Sequence, residues 1–359
     1  MKKKLLVAIA AITCLAFILF QFGFNTVQTV NRSKSWEWEE SPLSENANTY
    51  FWDHFHFGHY DSIPAILEGL TKAYLDNPND FQTVLHLGFT HFWAIADRQQ
   101  LEKIPASLID HAVLAQKYLG EAYRMNPEDT RILSFLSAAK IIVGDLSEDD
   151  KLVTEGYFNG LKSIRDWKDF GEFSLAYTLS QVPHTDPNFK KALQWMRNTT
   201  ERCYCSELDP PSEACKKAIA RKVDNPKGLG RNRIVPNSWV APHNIEGYFM
   251  SYGDLLVKSG NWEQAIRIYE LAKYAPDYEN WPYRDVLERR IRDAQLNVGL
   301  FRQPIVQGTI VGLDAAVMVQ TSIACRACHQ MSPQDLNSTY ATFDRKKYLD
   351  QAYYFMDAA

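Results

Sequence analysis

A seven-residue punctuation occurs twice in this chain, forty-nine residues apart: Tyr74-Leu75-Asp76-Asn77-Pro78-Asn79-Asp80 and Tyr123-Arg124-Met125-Asn126-Pro127-Glu128-Asp129. A shorter relative, Tyr274-Ala275-Pro276-Asp277, follows a run holding Ala265, Ile266, Ile268, Tyr269 and Leu271. Proline stops one helix because it lacks an N–H and crowds the preceding turn, yet just inside the next helix its missing donor costs nothing. The flanks have helical spacing. Ile63, Ile66, Leu67, Leu70 and Tyr74 recur at i, i+3, i+4, i+7 and i+11, whereas Phe81, Val84, Leu85, Leu87, Phe89, Phe92 and Trp93 form a run apolar on most sides. The pattern predicts an all-α chain of helices joined by proline turns.

Repeated helix, turn and helix is what a helical-hairpin array needs, since a single hairpin cannot bury its apolar face alone. The segment Gly247–Pro276, with Gly260-Asn261-Trp262-Glu263-Gln264-Ala265 at its turn and Tyr269 to Pro276 closing its second helix, resembles a tetratricopeptide repeat (TPR). The resemblance is good over 244–297 and partial over 60–145, where the spacing exceeds the repeat period of about 34 residues. It implies a TPR-like array, an α-solenoid, whose concave face takes protein partners, a redox partner among them.

The N-terminus reads as an export signal. Lys2, Lys3 and Lys4 precede an apolar run from Leu5 to Phe20 that resumes at Phe22 and ends near Phe24 without an acid. About twenty such residues also suffice to cross a bilayer at ~1.5 Å per residue, and no Ala-x-Ala site ends the run. Residues 5–24 are therefore either a cleaved signal or a retained membrane anchor, with the anchor favoured. Basic residues stay cytoplasmic, so the rest is expected on the periplasmic side of a bacterial inner membrane. Without the three N-terminal lysines, the exported part carries 36 basic and 43 acidic residues, net −7 with His neutral. Such a surface argues against nucleic acid as a partner.

The expected organisation is a signal or anchor over 1–24, a polar tether over 25–48, a helical repeat array over 49–202, a Cys-containing basic insertion loop over 203–243, a TPR-like repeat over 244–298, and a C-terminal segment with a terminal helix over 299–359. In the insertion, Pro210-Pro211 and Gly228/Gly230 interrupt the helical rhythm, and Lys216–Arg233 carries seven basic residues against Asp224. It reads as a solvated loop or as a docking patch for an acidic partner or for haem propionates. Gly228-Leu229-Gly230 is no dinucleotide fingerprint, because Arg233 takes the place of the third glycine. Cys203, Cys205 and Cys215 predict one disulfide in an oxidising compartment, Cys215 pairing with either Cys203 or Cys205.

The last segment contains Cys325-Arg326-Ala327-Cys328-His329, the spacing of a covalent c-type haem attachment site. Cys325 and Cys328 would form thioethers to a single haem c, and His329 would be the proximal iron ligand. Export strengthens this reading, since c-type haem is attached in the periplasm. A Cys325–Cys328 disulfide and a zinc site compete with it; a His directly beside a Cys is awkward for a zinc tetrahedron. The sixth ligand must come from elsewhere in the chain. Met331 is excluded because two residues reach only about 7 Å. Met318 and Met356 are far enough away in sequence, and His243, on the Pro242 turn before the TPR-like segment, is the best histidine candidate for the distal position. His54, His56 and His59 form a second cluster, pairing 54 with 56 if extended or 56 with 59 if helical; a packed first helix is the plainer reading. His86, His91, His111 and His184 read as structural.

No Ser-His-Asp set, phosphate loop or His-Glu-x-x-His is present, so an electron carrier or scaffold is expected before an enzyme. The expected function is an exported monohaem c-type protein that presents its haem for electron transfer from a TPR-like scaffold. The alternatives are an envelope scaffold that binds a peptide partner, with the cysteine motif only structural, and a haem enzyme or gas sensor with an open distal position.

Overall fold

A computed structural model describes residues 41–55, 59–96, 106–221, 244–276, 278–303 and 327–328. Among these residues the chain is all-α, with no strand and only an isolated bridge between Leu208 and Pro211. None of the described helices is long and apolar enough to cross a membrane. The export or anchor segment 1–24 lies outside the described residues.

The first part runs α1 (Pro42–Phe55), α2 (Ile63–Asp76), α3 (Phe81–Ala96), α4 (Ser107–Met125), α5 (Thr130–Leu146), α6 (Asp150–Asp166), α7 (Lys168–Leu179) and α8 (Pro187–Cys203). The second runs α9 (Glu213–Ile219), α10 (Ile245–Ser259), α11 (Trp262–Leu271), α12 (Arg284–Arg292) and α13 (Ala294–Phe301). From α1 to α8 each helix packs on its neighbour in sequence, and α10 packs on both α11 and α13.

The repeated punctuation is a repeated local geometry. Asn77 and Asn126 end α2 and α4 in nearly the same extended conformation, φ −134° and ψ 91° against φ −132° and ψ 78°. The ring of the following proline excludes the helical region for each of them. Asp80 and Asp129 then open the next helices: Asp80 accepts from the Gln82 N–H at 3.0 Å, and Asp129 from the Arg131 N–H at 3.1 Å. A side-chain acceptor satisfies a donor that the first turn leaves orphaned. Ala275, before Pro276, is likewise extended at ψ 141°.

α3 buries nearly its whole circumference, as its unbroken apolar run requires. Within the α10–α11 hairpin, Gly260 takes φ 101° at the end of α10 and turns the chain. A Cβ at Gly253 would collide with the buried Tyr269 ring, so the missing side chain sets how closely α10 and α11 approach.

Two expectations change. The tether was expected to reach residue 48, but α1 begins at Pro42 and buries Ser44, Ala47, Asn48, Phe51, Trp52 and Phe55. Its apolar face begins four residues after the acidic cluster around Trp38, too short a stretch for the composition to register. The insertion was expected to be solvated, but over 203–221 it enters the core: Cys205, Leu208, Cys215 and Ile219 are each 1% exposed, and α9 is capped by Ser212. Cys215 and Ile219 share a face of α9 at i, i+4, but one such pair in a seven-residue helix is too little to stand out as a stripe in the sequence. The basic stretch 222–243 lies outside the described residues.

Candidate functional site

The described part of the cysteine motif, Ala327-Cys328, lies on the N-terminus of α10. Asn244 is the N-cap, and its side-chain oxygen accepts from the Gly247 N–H at 2.6 Å. Its backbone N–H donates to the Cys328 carbonyl at 2.7 Å, and its Nδ2 donates to the Ala327 carbonyl at 2.5 Å. The Ala327 carbonyl also accepts from Trp281 Nε1 at 3.0 Å. Three donors thus meet two successive carbonyls.

Gly247 makes this approach sterically feasible. A Cβ there would stand 2.6 Å from the Ala327 oxygen and 2.8 Å from the Cys328 Cα, inside van der Waals contact with backbone that cannot turn aside. One turn along α10, Ser251 Oγ lies 3.8 Å from Cys328 Sγ. Ala327 is fully buried and Cys328 is 4% exposed. Glu246, buried in the first turn of α10, places its carboxylate at the end where the helix dipole favours negative charge.

The surroundings are aromatic. Trp281 packs with Tyr278 and Tyr283 at ring separations of 6.4 and 6.0 Å. On α10, Tyr248 and Phe249 pack against Tyr204 at 5.8 and 5.9 Å. Burial holds the Tyr248 phenol well above its ordinary pKa, and it shares a hydrogen bond with Thr200 Oγ1 at 2.5 Å.

Of the expected haem residues, Cys328 is the one described; Cys325, His329 and His243 lie outside the described residues. The donor set of two thiols and a histidine fits a covalent haem by its chemistry. Cys205 and Cys215 form the disulfide, leaving Cys203 as a thiol whose pKa is pushed up by burial.

Two histidine pairs form among the described residues. His54, in α1, meets His59 edge to face at 5.5 Å, and its Nδ1 bonds the Tyr50 carbonyl at 2.9 Å; His56 lies outside the described residues. His91 of α3 and His111 of α4 face each other with Nδ1 atoms 2.9 Å apart, a pairing the sequence did not signal. His86 is fully buried, bonds Asn48 Oδ1 at 2.6 Å through Nδ1, and is lowered by desolvation to a pKa of about 3. His184 stands apart from these pairs. Among the described residues, no cluster of three or more His, Cys, Asp or Glu side chains is placed to hold a metal ion.

Asn244 was legible as a cap, since Asn stands directly before an apolar-periodic run. Trp281 and Ser251 carried no such signal, because nothing near them in sequence refers to residue 327. No family model, curated protein or solved structure matches the chain.

Proposed function

We propose that this protein is an exported monohaem c-type cytochrome-like electron carrier, in which a TPR-like helical-hairpin scaffold holds the haem segment at the N-terminus of α10. The observation that carries this reading is the anchoring of Ala327-Cys328 by Asn244 and Trp281. A haem segment must keep its cysteines and axial histidine in one geometry, and backbone carbonyls fixed by buried donors restrict them at the main chain. Cys325 and Cys328 would carry the thioethers, and His329 the proximal bond to iron. Haem c, when bound, supplies one-electron redox chemistry at iron.

His243, the residue before Asn244 on the Pro242 turn, would be the distal ligand. The TPR-like reading is supported by the Gly253–Tyr269 contact and by the repeated proline turns. The N-terminal segment would place the chain on the periplasmic side of the inner membrane, anchored or released.

The second reading, a peptide-binding envelope scaffold with a structural cysteine motif, is favoured by the burial of Cys328 against Ser251. A haem stain of a denaturing gel separates the two. The exported chain, made with the c-type maturation machinery, is compared with a Cys325→Ala/Cys328→Ala variant. Stain that survives denaturation in the wild type and is absent from the variant is expected; a colourless wild-type band leaves the scaffold reading.

A further inference from the structure

A second surface lies far along the sequence from the cysteine motif. α4 and α6 both pack on α5, and between them runs a groove of two adjoining concavities, of about 510 and 490 Å³, that share Lys140 and Asn159. The wall from α4 is one stripe at i, i+3, i+4, i+7, i+10 and i+11 from Val113 to Arg124, so these side chains project to the same side.

The charge in the first concavity is one-sided. Lys117, Arg124 and Lys140 line it with Gln116 and Asn159 and without a carboxylate. Lys140 is neutralised by Glu155 at 3.3 Å in the neighbouring concavity. Among the described residues neither Lys117 nor Arg124 has a carboxylate partner; the Lys117 ammonium sits 3.9 Å from the centre of the Tyr118 ring instead. The groove also has apolar ends. Val113 is 48% exposed in the first concavity and Phe158 62% exposed in the second. Unpaired cations between exposed apolar side chains, on a chain of net charge −4, form a local site of opposite sign to the whole molecule.

We propose that the α4–α6 groove docks an acidic segment of a partner protein, its carboxylates on Lys117 and Arg124 and a large apolar side chain beside Phe158. This deepens the expectation of a protein partner on the helical face and does not depend on haem attachment, so a colourless protein would still test it. Guanidinium and ammonium groups bind carboxylates through charge-assisted hydrogen bonds, and the pairing weakens with salt.

The experiment uses the full chain and a fluorescein-labelled peptide of about twelve residues repeating Glu-Glu-Phe-Ser, with a counterpart carrying Gln for Glu. Fluorescence anisotropy is expected to show binding to the acidic peptide that falls with salt, and binding of the Gln counterpart weaker by about tenfold, the ratio expected for an energy of ~1.4 kcal/mol. Lys117→Gln/Arg124→Gln should lose affinity by a similar factor, while Lys190→Gln on α8 should bind as wild type; a thermal melt of each variant checks folding. Equal binding of both peptides, undiminished binding by the double variant, or no binding by the wild type would overturn the proposal. So would retention by phosphatidylglycerol vesicles that Lys117→Gln/Arg124→Gln abolishes and the acidic peptide does not displace, since the groove rather than the apolar segment 5–24 would then be a membrane contact.

Discussion

The backbone N–H of Asn244 donates to the carbonyl of Cys328 at 2.7 Å, joining two residues far apart in sequence at the first turn of α10. The Asn244 side chain caps the same turn through Gly247 and reaches the Ala327 carbonyl, so one residue both starts a helix and holds the cysteine motif to it.

These two roles can be separated. Asn244→Asp keeps the acceptor for Gly247 and loses the donor to Ala327, and should cost about 1 kcal/mol, one net hydrogen bond. Asn244→Ala loses both and should cost about 2 kcal/mol. Trp281→Phe should match the aspartate variant. All three should speed trypsin cleavage after Arg326 relative to wild type, and unchanged cleavage would mean that the seat on α10 does not hold the segment.

Three glycines make opposite predictions. A Cβ at Gly171 would stand 2.5 Å from the backbone nitrogen of Ile164, and one at Gly253 would enter the buried Tyr269 ring. Gly171→Ala and Gly253→Ala should each lower stability by about 3 kcal/mol. At Gly120 the nearest atoms are 3.7 and 3.8 Å away, ordinary contact distances. Gly120→Ala should therefore raise stability by about 0.5–1 kcal/mol, because a mid-helix glycine loses more backbone entropy on folding. Urea unfolding of the three variants checks the order.

The Cys205–Cys215 disulfide closes a short loop and ties α9 to the core. Cys205→Ala/Cys215→Ala should cost about 2–3 kcal/mol, and the melting temperature of wild type, but not of this variant, should fall under reductant. Cys203→Ser should leave that reductant sensitivity intact. The Cys203 thiol, its pKa raised by burial, should alkylate slowly at pH 8 in the folded protein, since the thiolate is the reactive form.

Stability should fall on mild acidification. Desolvation lowers His86 from 6.5 to about 3; His91 is lowered to about 4 by desolvation and then by the charges of His111 and Lys117. The unfolded chain binds protons at these positions as pH drops through about 6.5 while the folded chain does not, so folding free energy is lost from there down towards each folded value. Each residue contributes at most ~1.4 kcal/mol per pH unit in that window. Melting temperatures between pH 7.5 and 5 should show the loss, and His86→Phe should flatten the slope whatever it does to the absolute stability. An unchanged slope would place the acid sensitivity elsewhere.

The all-α class and the turn positions were legible in the sequence because their causes are local. Pro78 and Pro127 restrict the residue before them, and Asp80 and Asp129 cap the helices that follow, without reference to the rest of the chain. A disulfide to Cys215 was readable from the close spacing of three cysteines, but the choice of Cys205 over Cys203 was not. It depends on which side chain faces Cys215 once Cys205 and Leu208 have packed into the core. The seat of Ala327-Cys328 was not legible either. Gly247 and Ser251 lie one turn apart on α10 and Trp281 well beyond it in sequence, and each matters only because packing brings its bare backbone, hydroxyl or indole N–H to the same two residues. Sequence by itself determined where the helices break at the proline turns, since neighbouring residues impose those conformations. Tertiary structure decided which of those helices meet residues 327–328, because non-local contacts form only where shape and hydrogen-bonding groups match across the fold.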